Sequence, residues 1–146
     1  MKKSVIFSFL FFVCTVAYGQ YRCVTQSSTK NSVTLRCIGY GSNAKKASKD
    51  AELNAIKTLL FVGADNTPYK FPLIGNDETS AEDNNKTFFD DFYSNSFRNF
   101  IESSIIVTSF GKDELKRKCI TVDVCIRAQQ LRTFLENKGI IRKFGL

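Results

Sequence analysis

Val33-Thr34-Leu35-Arg36-Cys37-Ile38-Gly39-Tyr40-Gly41-Ser42-Asn43-Ala44 decides the fold. Its first half alternates: Val33, Leu35 and Cys37 fall on one side of an extended chain, as in a strand buried on one face. Gly39-Tyr40-Gly41 ends the strand. Ser42 is a good helix cap, and Ala44, Ala47, Ala51 and Ala55 recur at helical spacing, followed by Leu59 and Val62. A stripe of alanines lets a helix backbone approach a sheet closely. The helix is expected to stop at Gly63.

Upstream, Tyr21 to Gln26 is a second apolar and β-branched run, joined to Val33 through the polar stretch Ser27 to Ser32. The pair reads as a hairpin. Residues 64–85 differ in kind. They hold both prolines and a polar, acidic run from Asn76 to Asn85, and read as a long irregular crossing, tied to the body by Phe71, Leu73 and Ile74. Phe88, Phe89, Phe92, Tyr93, Phe97 and Phe100 then recur every three or four residues. This predicts an amphipathic helix over Lys86–Glu102 whose aromatic stripe is core and not a docking face.

Ser104–Phe110 and Leu115–Arg127 read as a second hairpin turning at Gly111 to Glu114. Ile120, Val122, Val124 and Ile126 face one way. Cys119, Thr121, Asp123, Cys125 and Arg127 face the other, as a surface where a partner strand, a second subunit or the C-terminal tail would dock. A last helix runs from Ala128 to Lys138 and stops at Gly139. The order β-β-α-α-β-β-α implies an α+β fold, a two-layer sandwich with a mainly antiparallel four-stranded sheet and helices on one face. Residues 21–139 form this single domain, and 140–146 an apolar, basic tail.

The amino terminus carries an address. Lys2 and Lys3 precede an apolar run from Val5 to Val13, and Ala17-Tyr18-Gly19 closes it, the pattern of a secretory signal peptide over residues 1–20. The run is shorter than the ~20 residues of a membrane span. Cys14 lacks the small residues before it that a lipid-attachment site carries. Export places the chain in the periplasm, at the outer membrane or outside the cell. Removing Lys2 and Lys3 lowers the formal charge from +7 to +5, a balance that favours acidic surfaces or partners. In this compartment nucleic acid is disfavoured.

The chain has no histidine. That removes Ser-His-Asp and Cys-His catalysis and the usual zinc sites. No catalytic, metal or cofactor site is expected. Gly39 to Ala44 fits G-x-G-x-x-A, but without the parallel strand of a dinucleotide site. An anion at Gly41, Ser42 and Asn43 is the weaker form of that reading. Cys23, Cys37, Cys119 and Cys125 survive cleavage, and exported cysteines suggest disulfides. Cys119 and Cys125 sit in one strand, ~20 Å apart when extended, too far for a bond. Cys23 and Cys37 would face each other across the first hairpin, centred at Lys30.

The strand, Gly-x-Gly exit and alanine-striped helix (Val33 to Gly41, then Ala47, Ala51 and Ala55) resemble small exported α/β domains. Among these are the amino-terminal domain of the flagellar T-ring protein and the surface lipoproteins sharing its fold. The ending Val122 to Leu135 is similar to their final strand and helix, and Ile141 to Gly145 resembles endings of small exported bacterial proteins. The resemblance implies an envelope-assembly role without catalytic residues. The acidic crossing departs from that pattern. The resulting expectation is a non-enzymatic, exported protein-binding module, whose partner is an envelope protein or a second copy. A small-ligand or anion binder at the Gly39–Ala44 helix end and an anionic membrane-surface binder using Lys116 to Lys118 and the Arg142-Lys143 tail are the alternatives.

Overall fold

The computed structural model describes residues 23–143; the signal peptide expected over residues 1–20 lies outside them, as does the end of the tail. Two antiparallel hairpins make the sheet: β1 (Cys23–Ser28) with β2 (Val33–Tyr40), and β3 (Ile101–Lys112) with β4 (Lys118–Ile126). They join through β2 and β4, giving the order β1-β2-β4-β3. Val33, Leu35 and Cys37 from β2 and Ile120, Val122, Val124 and Ile126 from β4 are buried on one face. Helix α1 (Ala44–Phe61) lies across that face, with Ala47, Ala51, Ala55 and Leu59 fully buried. The fold is α+β, as the alternation and the alanine stripe imply. Each buried leucine or isoleucine is worth roughly 1.5–3 kcal/mol of transfer free energy.

Two glycines set how close the layers come. A Cβ at Gly39 would strike the Ala47 carbonyl and the Ala51 amide, and one at Gly41 would crowd Lys46 and Ala47. Asn43, not Ser42, caps the helix: its Oδ1 accepts from the Lys46 amide at 2.9 Å. Asn43 is one residue nearer the first turn, where a side-chain oxygen reaches the third helical amide. Gly63 follows α1 at φ +93°, a left-handed stop.

The crossing is more ordered than its composition predicts. Leu73 and Ile74 donate to the carbonyls of Leu59 and Leu60, both at 2.9 Å, satisfying acceptors that a helix end leaves open. Phe71, expected to help, is exposed. Tyr69 does more: it is buried, and its hydroxyl donates to the Lys30 carbonyl at 2.8 Å. The acidic run forms a short helix, α2 (Glu78–Asn84), capped by Asp77 on the Ser80 amide. Lys57 of α1 donates to Glu78 at 2.7 Å and Glu82 at 3.1 Å, one turn apart on α2.

The aromatic stripe is mostly core, but its helix is shorter than its period suggests. Helix α3 ends at Ser94 (Lys86–Ser94), and a 3-10 segment spans Ser96–Phe100 before β3 begins at Ile101. Ser94-Asn95-Ser96 are poor helix formers, and the Ser94 hydroxyl donates to the Asp90 carbonyl at 2.6 Å. Phe97 and Phe100, three apart, keep one face under 3-10 geometry, so both stay buried. Helix α4 (Ala128–Asn137) adds Leu131 and Leu135 to the core.

Candidate interaction face

The helices cover one side of the two central strands. On the other side β2 presents Thr34, Arg36, Ile38 and Tyr40, and β4 presents Cys119, Thr121, Asp123 and Cys125, all half-buried. The register pairs Thr34 with Cys125, Arg36 with Asp123, Ile38 with Thr121 and Tyr40 with Cys119. Four of the five residues assigned to an interaction surface therefore share one face. The fifth, Arg127, lies beyond the end of β4. It occupies the cap position of α4 and lines a separate polar cleft with Glu102 and Asn31. A strand parity count carried it one residue too far, because the chain turns into the helix there.

The middle of the face is a cross-strand row: Val24, Arg36, Asp123 and Ile105, one from each strand. The Arg36 Nε and Nη2 donate to the two Asp123 carboxylate oxygens at 2.8 and 2.9 Å, a bidentate pair. These hydrogen bonds, with the guanidinium charge, hold the Asp123 carboxyl below its ordinary value against the opposing effect of burial. The Arg36 pKa is raised for the same reason. Val24 and Ile105, 64% and 63% exposed, stand on either side of the pair. The row runs apolar, charged, charged, apolar across the four strands.

At one end of the face Tyr40 anchors the β3–β4 turn. The Arg117 guanidinium lies 4.5 Å from the Tyr40 ring centroid and donates to its hydroxyl at 3.0 Å. Burial alone would raise the Asp113 carboxyl; hydrogen bonds from Arg117 and the Leu115 amide outweigh it and lower the value. Cys119 sits between Tyr40 and the side-chainless Gly111. Cys125 lies near the other end, its Sγ 3.6 Å from a Glu102 carboxylate oxygen. Both are free thiols, while Cys23 and Cys37 form a disulfide across directly paired positions of the first hairpin.

Sequence reasoning named the β4 half of this face and missed the β2 half. The signal was present: the alternation that turns Val33, Leu35 and Cys37 inward turns Arg36 and Tyr40 outward.

The helix end at Gly41, Ser42 and Asn43 has a different explanation. The Asn43 side chain satisfies the Lys46 amide there, and Gly41 is pressed against α1. Capping accounts for Asn43 and packing for Gly41, while Ser42 is exposed. Among the described residues no group of three His, Cys, Asp or Glu is placed to hold a metal ion.

The disulfide belongs to a non-reducing environment. No described helix is long and apolar enough to cross a membrane. Compared with known protein families, curated proteins and solved structures, the chain matches none.

Proposed function

We propose that this chain is a non-enzymatic exported module that binds another protein of the cell envelope through the uncovered face of its sheet. The observation that supports the reading is that face itself. Two central strands present half-buried side chains with no layer of described residues over them, around an oriented ion pair flanked by exposed Val24 and Ile105. Interfaces are built this way, with apolar contact area around a few oriented polar groups. The signal-peptide pattern and the disulfide support a periplasmic, outer-membrane-associated or extracellular site of action. The resemblance to exported assembly domains points to the same class of role.

Thr121 and Cys119 supply the test. A photo-crosslinker attached to Cys119 should trap a defined partner in intact envelopes. Thr121→Arg, which places a charge on the face without touching the core, should abolish the crosslink. A substitution on the exposed side of α1, such as Lys49→Glu, should leave it unchanged. Identical yield from the Thr121 variant, or recovery as free monomer under every growth condition, would overturn the reading.

A further inference from the structure

Charge is sharply segregated along this chain. Residues 77–91 carry Asp77, Glu78, Glu82, Asp83, Asp90 and Asp91 against Lys86 alone, a net −5, so the remainder of the sequence sums to +12. The fold sets the acidic run and the lysine-bearing β3–β4 turn at opposite ends of α1. The β3–β4 turn meets the start of α1, where the Gly41 amide donates to the Lys118 carbonyl at 3.2 Å. Helix α2 is tied to the other end of α1 through Lys57. The 18 residues of α1 span about 27 Å at 1.5 Å per residue.

The acidic pole contains a groove of about 910 Å³ between α3 and α4, within the size range of binding clefts. Phe88, Phe92, Phe134 and Ile140 line its apolar part, and Asp83 and Asp91 stand on it. Phe88 and Phe92 are stacked at 5.5 Å, and Phe92 and Phe134 at 6.0 Å. The cations at this groove are engaged locally: Lys86 pairs with Asp90 at 2.8 Å, and Lys138 lies over the Phe134 ring.

The basic pole carries the complementary shape. Leu115 is 71% exposed at the tip of the β3–β4 turn. Lys112, Lys116 and Lys118 lie on the same turn and, among the described residues, form no ion pair, against one exposed carboxylate, Glu114. The tip is rigid. Asp113 Oδ1 accepts from the Leu115 and Arg117 amides at 3.0 and 2.9 Å, and the Arg117 carbonyl accepts from the Asp113 amide at 3.0 Å. A leucine on a fixed turn loses little entropy on binding.

We infer that copies of this chain associate head to tail, the Leu115 tip of one entering the Phe88–Phe92–Phe134 groove of the next. The apolar anchor fills the aromatic groove, and Lys116 and its neighbours meet Asp83 and Asp91. Because tip and groove are different surfaces on opposite poles, the contact is heterologous: it builds a ring if its rotation closes and an open chain if it does not. It uses neither Arg36 nor Asp123, so it is independent of the sheet-face reading.

Sedimentation of the oxidised exported chain, in a concentration series reaching ~1 mM, tests this. The mean mass should rise past that of a dimer, and the rise should weaken with added salt. Leu115→Asp, and separately the double variant Asp83→Lys with Asp91→Lys, should each weaken association at least ten-fold. Both change exposed residues, so an unchanged melting curve verifies that they fold. Mixed together, the tip variant offers an intact groove and the groove variant an intact tip. The mixture should give a one-to-one dimer and nothing larger. A wild-type chain that stays monomeric, an assembly that stops at a dimer, or a mixture that does not pair would each overturn the inference.

Discussion

Reducing the Cys23–Cys37 bond should lower the melting temperature by roughly 12 °C. The bond joins residues 14 apart in sequence, and in the chain-entropy model closing a loop of ~15 residues is worth ~3 kcal/mol. A domain of ~120 residues unfolds with an entropy near 0.25 kcal/mol/K, so ~3 kcal/mol corresponds to ~12 °C. The local topology adds a second signature. β1 is an edge strand whose only neighbour among the described strands is β2, so reduction should let it fray before the core melts. Its amide protons should exchange faster in the reduced protein than in the oxidised one, while those of β4 barely change. The two alanine variants should also differ. Cys37 is completely buried and Cys23 only partly. Cys37→Ala therefore loses the crosslink and leaves a small cavity, costing ~1 kcal/mol more than Cys23→Ala. Calorimetry with and without reductant, the two free thiols alkylated first, measures the melting shift and the difference between the variants, and amide hydrogen exchange measures the fraying of β1. A shift below ~4 °C on reduction would refute the entropic argument, and equal losses from the two alanine variants would refute the assigned burial.

Gly39→Ala should destabilise by about 3 kcal/mol, because the new Cβ meets α1 backbone that cannot step aside; Gly111→Ala, whose Cβ would meet the Ser109 carbonyl at an ordinary 3.8 Å, is the chemical-denaturation control. Phe92→Ala should cost ~3–5 kcal/mol, since Phe92 is buried among Phe88, Tyr93, Phe100 and Phe134, and a near-neutral melting curve would return the aromatic stripe to the surface. Asp123 should make stability pH-dependent. Its folded pKa lies below its ordinary value of 3.8, so the unfolded chain binds more protons there, and the contribution is complete above that value and lost as pH falls through the folded one. Asp123→Asn should flatten this part of the acid-unfolding profile, and an unchanged profile would show that the Arg36 pair does not stabilise the fold.

The sheet was legible because its two central strands each bury one side, so that a period of two is written directly into Val33–Tyr40 and Ile120–Ile126. The alanine stripe and Gly39 announced a helix packed against it. Three features were not legible, each for a different reason. Helix α2 buries no side chain, so it has no periodicity; its support is Lys57, more than twenty residues upstream. The boundary at Ser94 was hidden because Phe97 and Phe100 satisfy a 3.0-residue period as well as a 3.6-residue one. Strand β3 is exposed over most of its length on both sides, so Ile105, Ile106 and Val107 signal strand only through their branched side chains, and its true start at Ile101 depends on pairing with Ile126. The interaction face shows where such reading stops in principle. Alternation alone places Arg36 on the outer side of β2 and Asp123 on the outer side of β4. Their meeting is a statement about register between strands 87 residues apart. A slip of two residues would preserve every buried side chain's orientation and still separate the pair. Register is set by the joint fit of two hairpins against α1, so the centre of the face exists only once the core has packed.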